Sequence, residues 1–236
     1  MIAARPSIRN TLRARLSAFG LALSLFALTC STAQAQTQPV RKPAPAAVAP
    51  TPKAQRTVLV MGDSLSAAYG LSASQGWVAL TAQKIAKAKP GWRVVNASIS
   101  GETTAGGAAR IAAELSRHKP SVVVIELGAN DGLRGLPIAQ ARANLVKMIT
   151  AAKAANAKVL LIGMRMPPNY GPDYTRGFEQ AFANLAREHK TAFLPFLLEP
   201  IALDDRAFQA DRLHPVASAQ PKLRDHVWTA LAPLLN

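Results

Sequence analysis

Five short apolar runs alternate with segments of helical periodicity, and this alternation constrains the fold of the 236-residue chain more than any other feature. The clearest run, S-V-V-V-I-E-L over residues 121–127, is rich in β-branched residues, which is typical of a strand buried on both faces. The predicted strands cover residues 57–61, 92–96, 121–127, 158–162 and 191–194, and the predicted helices cover 74–89, 104–118, 137–155, 174–189 and a last helix through Leu223, Val227, Leu231 and Leu234. Because right-handed crossovers place helices on both faces of a parallel sheet, the sequence predicts a three-layer α/β/α domain around a central five-stranded parallel sheet.

The N-terminal residues 1–35 have the layout of a secretory signal peptide. Four arginines precede an apolar run over residues 16–28, and Ala33-Gln34-Ala35 is a small-x-small cleavage site. The apolar run is short for a membrane span, and an uncleaved anchor is the alternative. We therefore expect cleavage after Ala35 and a periplasmic or secreted protein. Cys30, the only cysteine, lies in this segment, so the mature chain would use neither a disulfide nor a cysteine nucleophile.

Residues 36–56 form a Pro/Ala-rich stretch without apolar periodicity, which indicates a disordered linker. The folded domain is therefore expected over residues 57–236. The formal charge falls from +15 for the whole chain to +7 for this domain, because eight basic and no acidic residues precede it. A mildly basic surface favours transient contact with an anionic membrane surface. No basic run interleaved with aromatic residues indicates nucleic-acid binding, and we expect a monomer.

Ser64 stands where the first predicted strand ends, in the stretch T-V-L-V-M-G-D-S-L-S-A-A-Y-G over residues 57–70. Helix-compatible residues follow it, so a strand-to-helix turn would project its hydroxyl from the sheet edge and aim its N–H at a bound group. That placement suits a nucleophile whose substrate oxygen becomes negative. The alternative is a serine that only caps a helix.

The loops after the other predicted strands also carry polar residues or glycines, and in a parallel sheet all of these loops meet at one edge. A serine nucleophile needs a base, and His214 can take the proton from Ser64. Asp211, three residues before His214, can accept from the other ring nitrogen and orient the imidazole. Asp204 and Asp205 are the alternatives for this last role, in a less constrained segment.

A negative oxygen formed during attack on a carbonyl needs hydrogen-bond donors. The N–H groups of Ser64 and Gly101 and the side-chain amide of Asn130 are the candidates for this oxyanion hole. Glycine suits the second position because no side chain blocks access to its backbone. Asparagine suits the third because its NH₂ group donates without carrying a charge.

The loop over residues 165–172 has no catalytic role in this scheme. Its Met166, Pro167, Pro168 and Tyr170 are candidates to line an acyl-binding pocket or to form a mobile flap over it. A rigid proline-rich connector is the alternative.

The remaining titratable residues do not indicate metal chemistry. His118, His189 and His226 lie near helix ends or on helix faces, and no cluster of histidines and carboxylates has metal-ligand spacing. Asp63 and Asp131 adjoin candidate site residues, where we expect them to hydrogen-bond loop backbone. We therefore expect neither a metal nor a cofactor.

Four short blocks of this sequence resemble the GDSL or SGNH hydrolase family. They are G-D-S-L at residues 62–65, S-G-E-T around Gly101, G-A-N-D around Asn130 and D-R-L-H-P at residues 211–215. The stretches N-A-S-I-S-G-E-T-T, E-L-G-A-N-D-G-L-R-G and P-P-N-Y-G look especially like the periplasmic arylesterase, acyl-thioesterase and lysophospholipase branch. The similarity extends over residues 57–236, with no departure at the catalytic positions.

The resemblance implies a flavodoxin-like fold and a serine esterase that forms an acyl-enzyme on Ser64, without a metal or cofactor. Its substrates would be small-molecule aryl and acyl esters, with thioesters and lysophospholipids in addition. A carbohydrate O-deacetylase on the same scaffold is one alternative, because the fold does not separate the two. A non-catalytic module that binds an anion at the Ser64 turn is the other, although it leaves Asp211, His214 and Asn130 unexplained.

Overall fold

The computed structural model describes residues 55–236, so the predicted signal peptide and nearly all of the predicted linker lie outside the described residues. The centre of the domain is a parallel five-stranded sheet with the strand order β2-β1-β3-β4-β5. The strands are β1 (Arg56–Gly62), β2 (Trp92–Asn96), β3 (Val122–Glu126), β4 (Lys158–Ile162) and β5 (Ala192–Leu194). Each predicted strand is present, and its ends agree with the prediction to within one residue.

Helices cover both faces of this sheet. In the described part of the chain they are α1 (Trp77–Ala88), α2 (Thr104–His118), α3 (Ala129–Leu133), α4 (Ile138–Ala154), α5 (Pro172–Glu188) and α6 (Gln220–Leu231). Helix α1 packs against α6, whereas α2 packs against α4 and α4 against α5. With right-handed crossovers, these two groups lie on opposite faces. The three-layer α/β/α architecture is confirmed.

Among residues 55–236, no helix combines the length and the apolar character that a membrane crossing requires.

The central strands are buried because their residues are apolar on both faces. All five residues of β3 are buried, and in β1 only Arg56 is exposed. Arg56 nevertheless belongs to the sheet, since its N–H donates to the carbonyl of Gly91 at 2.8 Å and its guanidinium stacks over Trp92. Strand β1 therefore starts one residue before the predicted strand start at residue 57.

The strand-to-helix turn expected at Ser64 is not observed, because no helix follows Ser64 directly. Residues 64–70 form consecutive turns, in which the N–H of Ala67 donates to the Asp63 carbonyl at 2.9 Å and that of Tyr69 to the Ser64 carbonyl at 3.1 Å. Ala68 adopts a left-handed conformation with φ of 61°, which a regular helix cannot contain. The turn that carries Ser64 is therefore shaped by tertiary packing and not by a helix start.

The segment after β3, predicted as a loop, contains the short helix α3. Gly128 precedes it with φ of 127°, a conformation that favours glycine. Asp131 then anchors the helix to the start of α2, because its carboxylate accepts from the N–H of Thr104 at 2.8 Å and from the Thr104 hydroxyl at 2.5 Å. At the other end of the chain, the closing helix stops at Leu231, and Leu234 lies in a following 3₁₀ turn.

Candidate active site

The predicted site residues lie in the segments that follow the carboxyl ends of the strands, at one edge of the sheet. Ser64 follows β1, Gly101 lies in the connection after β2, and Asn130 stands in α3 after β3. Asp211 and His214 come from the long connection between β5 and α6.

Ser64, His214 and Asp211 form one chain of hydrogen bonds. Oγ of Ser64 lies 2.7 Å from Nε2 of His214, and Nδ1 of His214 lies 2.7 Å from Oδ2 of Asp211. An imidazole that donates its Nδ1–H to the carboxylate presents Nε2 as the acceptor for the serine hydroxyl. The arrangement can therefore move a proton from Ser64 to His214.

The Asp211 carboxylate is held ionised by its own loop. Its Oδ1 accepts from the N–H groups of His214 and Leu213, each at 3.0 Å. The N–H of His214 is the main cause that lowers the pKa of Asp211 to about 2. Asp204, one of the alternatives, instead accepts from the N–H of Arg206 and forms an ion pair with its guanidinium. Asp211 thus contacts His214, whereas the Asp204 carboxylate is bound to Arg206.

A short antiparallel bridge closes the loop that carries His214. Phe208 pairs with Pro215, and the N–H of Gln209 donates to the His214 carbonyl at 2.7 Å. The side-chain amide of Gln209 donates to the carbonyl of Tyr69 at 2.9 Å. The backbone of His214 is therefore tied to the turns after β1.

Asn130 and Gly101 lie on two adjoining segments of the same edge. Nδ2 of Asn130 donates to the Glu102 carbonyl at 3.1 Å and lies 3.3 Å from Oδ2 of Asp63. Gly101 has φ of 79°, and its carbonyl accepts from the Arg134 guanidinium at 3.0 Å. Asn130 thus contacts the residue next to Gly101.

Two carboxyl groups are buried beneath the Ser64 turn. Burial raises the pKa of Asp63 to about 6, although its Oδ1 accepts from the N–H of Leu65 at 3.0 Å, the backbone role predicted for it. Burial, followed by the nearby charge of Asp63, raises the pKa of Glu126 well above its usual value. Glu126 accepts from the Ser66 hydroxyl at 2.6 Å and from the N–H of Asp63. Glu126 was not among the predicted site residues, although a lone acid in an otherwise apolar strand was a signal for it.

A cavity of about 380 Å³ opens beside Ser64 and His214. Its apolar lining consists of Leu65, Ala129, Leu133, Met164, Met166, Pro167, Phe196, Leu198, Ala202, Phe208 and Leu213. Asn130, Asp63 and two arginines, Arg165 and Arg212, also line it. A concave, mostly apolar site with a few polar groups suits an apolar substrate that a small number of contacts orient.

Two of the four predicted pocket residues, Met166 and Pro167, line this cavity. Pro168 and Tyr170 lie outside its wall, in a 3₁₀ turn where the Tyr170 hydroxyl donates to the Leu133 carbonyl at 2.9 Å. The 165–172 loop therefore contributes only its first half.

The part of the wall that follows β5 was not predicted, and it includes Phe196, Leu198 and Phe208. These residues have no motif, because an apolar side chain in an irregular connection looks the same whether it joins the core or lines a cavity.

Within the described residues, no group of three or more histidines, cysteines or carboxylates is arranged to hold a metal ion. His118 instead lies 3.2 Å from the carboxylate of Glu114. His226 lies 3.0 Å from the carbonyl oxygen of Phe196. These two histidines thus have neighbours that account for their positions.

A sequence model of the GDSL-like lipase/acylhydrolase family matches residues 60–220, a span that contains Ser64, Asp211 and His214. The chain belongs to this family. Esterase TesA of Pseudomonas aeruginosa is 52% identical over 182 residues, which cover 77% of this chain and 90% of the relative. Thioesterase 1/protease 1/lysophospholipase L1 of Escherichia coli K12 is 43% identical over 184 residues, which cover 76% of this chain and 85% of the relative. This GDSL-like protein is accordingly a hydrolase of ester bonds.

The fold of this GDSL-like hydrolase is also that of a solved relative. A crystal structure of TesA matches it with a TM-score of 0.74 at 52% identity, covering 76% of this chain and 99% of the other. Because the match extends over nearly all of the relative, the whole three-layer domain is shared.

Proposed function

We propose that Ser64 is the nucleophile of this ester hydrolase, that His214 is its general base, and that Asp211 orients the imidazole. The observation that carries the proposal is the continuous hydrogen-bonded chain through these three residues at the edge of an apolar cavity. A helix-capping role for Ser64 has little support, because turns and not a helix follow it.

The proposed reaction has two halves. In the first, Nε2 of His214 takes the hydroxyl proton while Oγ of Ser64 bonds to the ester carbonyl carbon. The bond from this carbon to the leaving oxygen or sulfur then breaks, and His214 returns the proton to the leaving alcohol or thiol. In the second half, water attacks the acyl-enzyme with the same help, the acid leaves, and Ser64 regains its hydroxyl. Asp211, whose pKa is about 2, stays ionised and stabilises the imidazolium in both halves.

The carbonyl oxygen becomes negative in both halves, and we propose Asn130 as its side-chain donor. One N–H of its amide bonds the Glu102 carbonyl, while the contact to Asp63 is longer, at 3.3 Å. Both N–H bonds belong to one planar amide, so the weaker contact, the one to Asp63, is the one that a developing oxyanion would replace. The N–H groups of Ser64 and Gly101 complete the proposed oxyanion hole.

The proposed substrates are carboxylic esters with an apolar acyl or aryl group. A largely apolar wall binds such a group by removing its surface from water. Thioesters and lysophospholipids are included, because a relative is named for both activities. A carbohydrate O-deacetylase fits less well, since a sugar needs more polar partners than this wall offers.

The proposed location is the periplasm or the exterior, after removal of a signal peptide that ends at Ala35. Its support is the basic start, the apolar run and the small-residue cleavage site in the first 35 residues. A monomer that touches anionic membrane surfaces transiently is part of the proposal, supported by the charge of +7 over residues 57–236.

Ser64→Ala tests the proposal. The variant should lose at least about 10³-fold in kcat toward p-nitrophenyl butyrate, and a fluorophosphonate probe should no longer label it. Ser116→Ala, which changes an exposed serine on α2, is the matched control and should keep both properties. A folded Ser64→Ala protein that still hydrolyses the ester at the wild-type rate would refute the proposal.

A further inference from the structure

Arg212 holds a backbone conformation that favours glycine. Its φ is 59°, in the loop between Asp211 and Leu213. Three other described non-glycine residues with positive φ follow helices, namely Lys119, Asn156 and Lys190. A left-handed residue at that place commonly ends a helix. Arg212 ends no helix, and neither does Ala68, whose φ is 61°. Both strained residues lie in the loops that carry Ser64 and His214, and backbone strain is typical of functional sites.

Arg212, an exposed residue, is one of the residues that line the cavity beside Ser64. Arg165, the other cation of the wall, is already engaged, because it pairs with Glu179 at 2.9 Å and lies over the ring of Phe196. The guanidinium of Arg212 makes no hydrogen bond or ion pair within residues 55–236. The residue donates only from its backbone N–H, to the Gln209 carbonyl at 2.9 Å. Within residues 55–236, Arg212 is thus the arginine of the wall whose guanidinium has no protein partner, and it lies two residues from His214 in the sequence.

We propose that Arg212 selects esters that carry a phosphate near the scissile bond, so that the enzyme prefers phosphate-bearing amphiphiles to neutral esters of the same acyl chain. The inference rests on the proposed function, because it assigns one feature of the substrate of the Ser64 site. A guanidinium offers paired N–H donors that match two phosphate oxygens, while the apolar wall takes the chain. A lysophospholipid and a thioester of a phosphorylated carrier share this chemistry. A phosphate on a surrounding lipid surface is a different source, which the experiment must separate.

The test compares two monomeric substrates, monodecanoyl glycerol phosphate and monodecanoyl glycerol, each below its critical micelle concentration. They differ only in the phosphate. For the wild-type enzyme, kcat/KM should be about tenfold or more higher for the phosphate-bearing ester, mainly through a lower KM. Arg212→Gln should lower this ratio by about tenfold, and Arg212→Gly should lower it equally while suiting the left-handed backbone.

Arg206→Gln is the matched control. It removes the same charge from the same connection, but Arg206 is 91% exposed, pairs with Asp204 and lies outside the wall. Its ratio should equal that of the wild type. An equal fall in Arg206→Gln, or an unchanged ratio in Arg212→Gln, would overturn the inference.

A second arm presents monodecanoyl glycerol on vesicles of anionic phospholipid. If Arg212 acted on the surface charge, Arg212→Gln would slow this reaction and leave the monomeric ratio unchanged, which would also overturn the inference. Wild-type hydrolysis of both monomeric esters without a phosphate preference would overturn it too, yet leave the role of Ser64 intact. Full hydrolysis of both esters by Ser64→Ala would instead contradict the proposed function.

Discussion

The ring of Tyr69 lies against the imidazole of His214, with their centroids 4.5 Å apart and their planes inclined by 38°. Tyr69 is held in this place at both ends of its backbone, because its N–H donates to the Ser64 carbonyl and its carbonyl accepts from Gln209. The Tyr69 ring therefore packs against the ring of His214, whereas Asp211 contacts the Nδ1 edge of the same imidazole.

We expect Tyr69→Ala to lower kcat by about three- to tenfold, because an aromatic face both positions the imidazole and stabilises its cation. Tyr69→Phe should keep most of the wild-type kcat, since the ring and not the hydroxyl contacts His214. Steady-state kinetics with a neutral ester separate kcat from KM. Leu203→Ala, which truncates a fully exposed leucine in the described chain, should change neither. An equal loss of kcat in Tyr69→Phe and Tyr69→Ala would contradict a bracing role for the ring.

Asn130→Ala should reduce kcat by about 10²–10³-fold and leave KM nearly unchanged, because the proposed donor acts on the transition state. Asn144→Ala is the matched control, since Asn144 also donates from a partly buried amide, to the hydroxyl of Thr104 at 3.1 Å. Thermal unfolding of both variants accounts for any loss of folded protein. A change confined to KM would argue against Asn130 as an oxyanion donor.

The buried carboxyls predict how the free energy of unfolding depends on pH. Burial raises the pKa of Asp63 from 3.8 to about 6, and it also raises the pKa of Glu126. Over the pH range between the unfolded and folded pKa values, the folded chain therefore keeps protons that the unfolded chain releases. This contribution to stability is fully present below the unfolded pKa values. It is lost as the pH rises through the folded values, and for Asp63 alone the loss is on the order of 3 kcal/mol.

Glu126→Gln should therefore flatten the pH dependence of stability, because the amide keeps an acceptor for the Ser66 hydroxyl but cannot ionise. Urea unfolding at pH values on both sides of 6 measures the effect. Glu188→Gln, which neutralises an exposed carboxylate paired with Arg142, should keep the wild-type slope. If the Glu126 variant lost stability with rising pH as steeply as the wild type, Glu126 would not be a source of this dependence.

Gly132→Ala should shift the acyl-chain preference toward shorter chains. A Cβ at this position would lie 2.2 Å from Sδ of Met166, and Met166 lines the cavity, so its flexible thioether must move. We expect the ratio of kcat/KM for p-nitrophenyl octanoate to that for p-nitrophenyl acetate to fall by about tenfold, which corresponds to roughly 1.4 kcal/mol of lost chain binding. Gly177→Ala on α5, where the nearest contact is the more distant Ile138 side chain at 3.3 Å, is the control and should keep the wild-type ratio.

The strands and long helices could be predicted because their signals are local. In β3, consecutive β-branched residues identify a strand buried on both faces wherever it stands in the sheet. Helix α2 was predicted with its observed ends from the spacing of Ile111 and Leu115 and the stop at Pro120. In the structure Thr103 caps its start, and Lys119 ends it in a left-handed conformation. Helix α3 escaped prediction because five residues are too few for periodicity, and its anchor is a contact between Asp131 and the distant Thr104.

The sequence by itself determined how strands and helices alternate along the chain. It thereby determined the edge of the sheet that would carry Ser64, Gly101, Asn130 and His214, because the carboxyl ends of parallel strands lie at one edge. Only the tertiary structure decided that Ser64 and His214, 150 residues apart, lie within 2.7 Å and that Glu126 is buried beneath them. It also decided which apolar side chains form a cavity wall. Distances and burial depend on how layers from remote parts of the chain pack, and no local pattern encodes that packing.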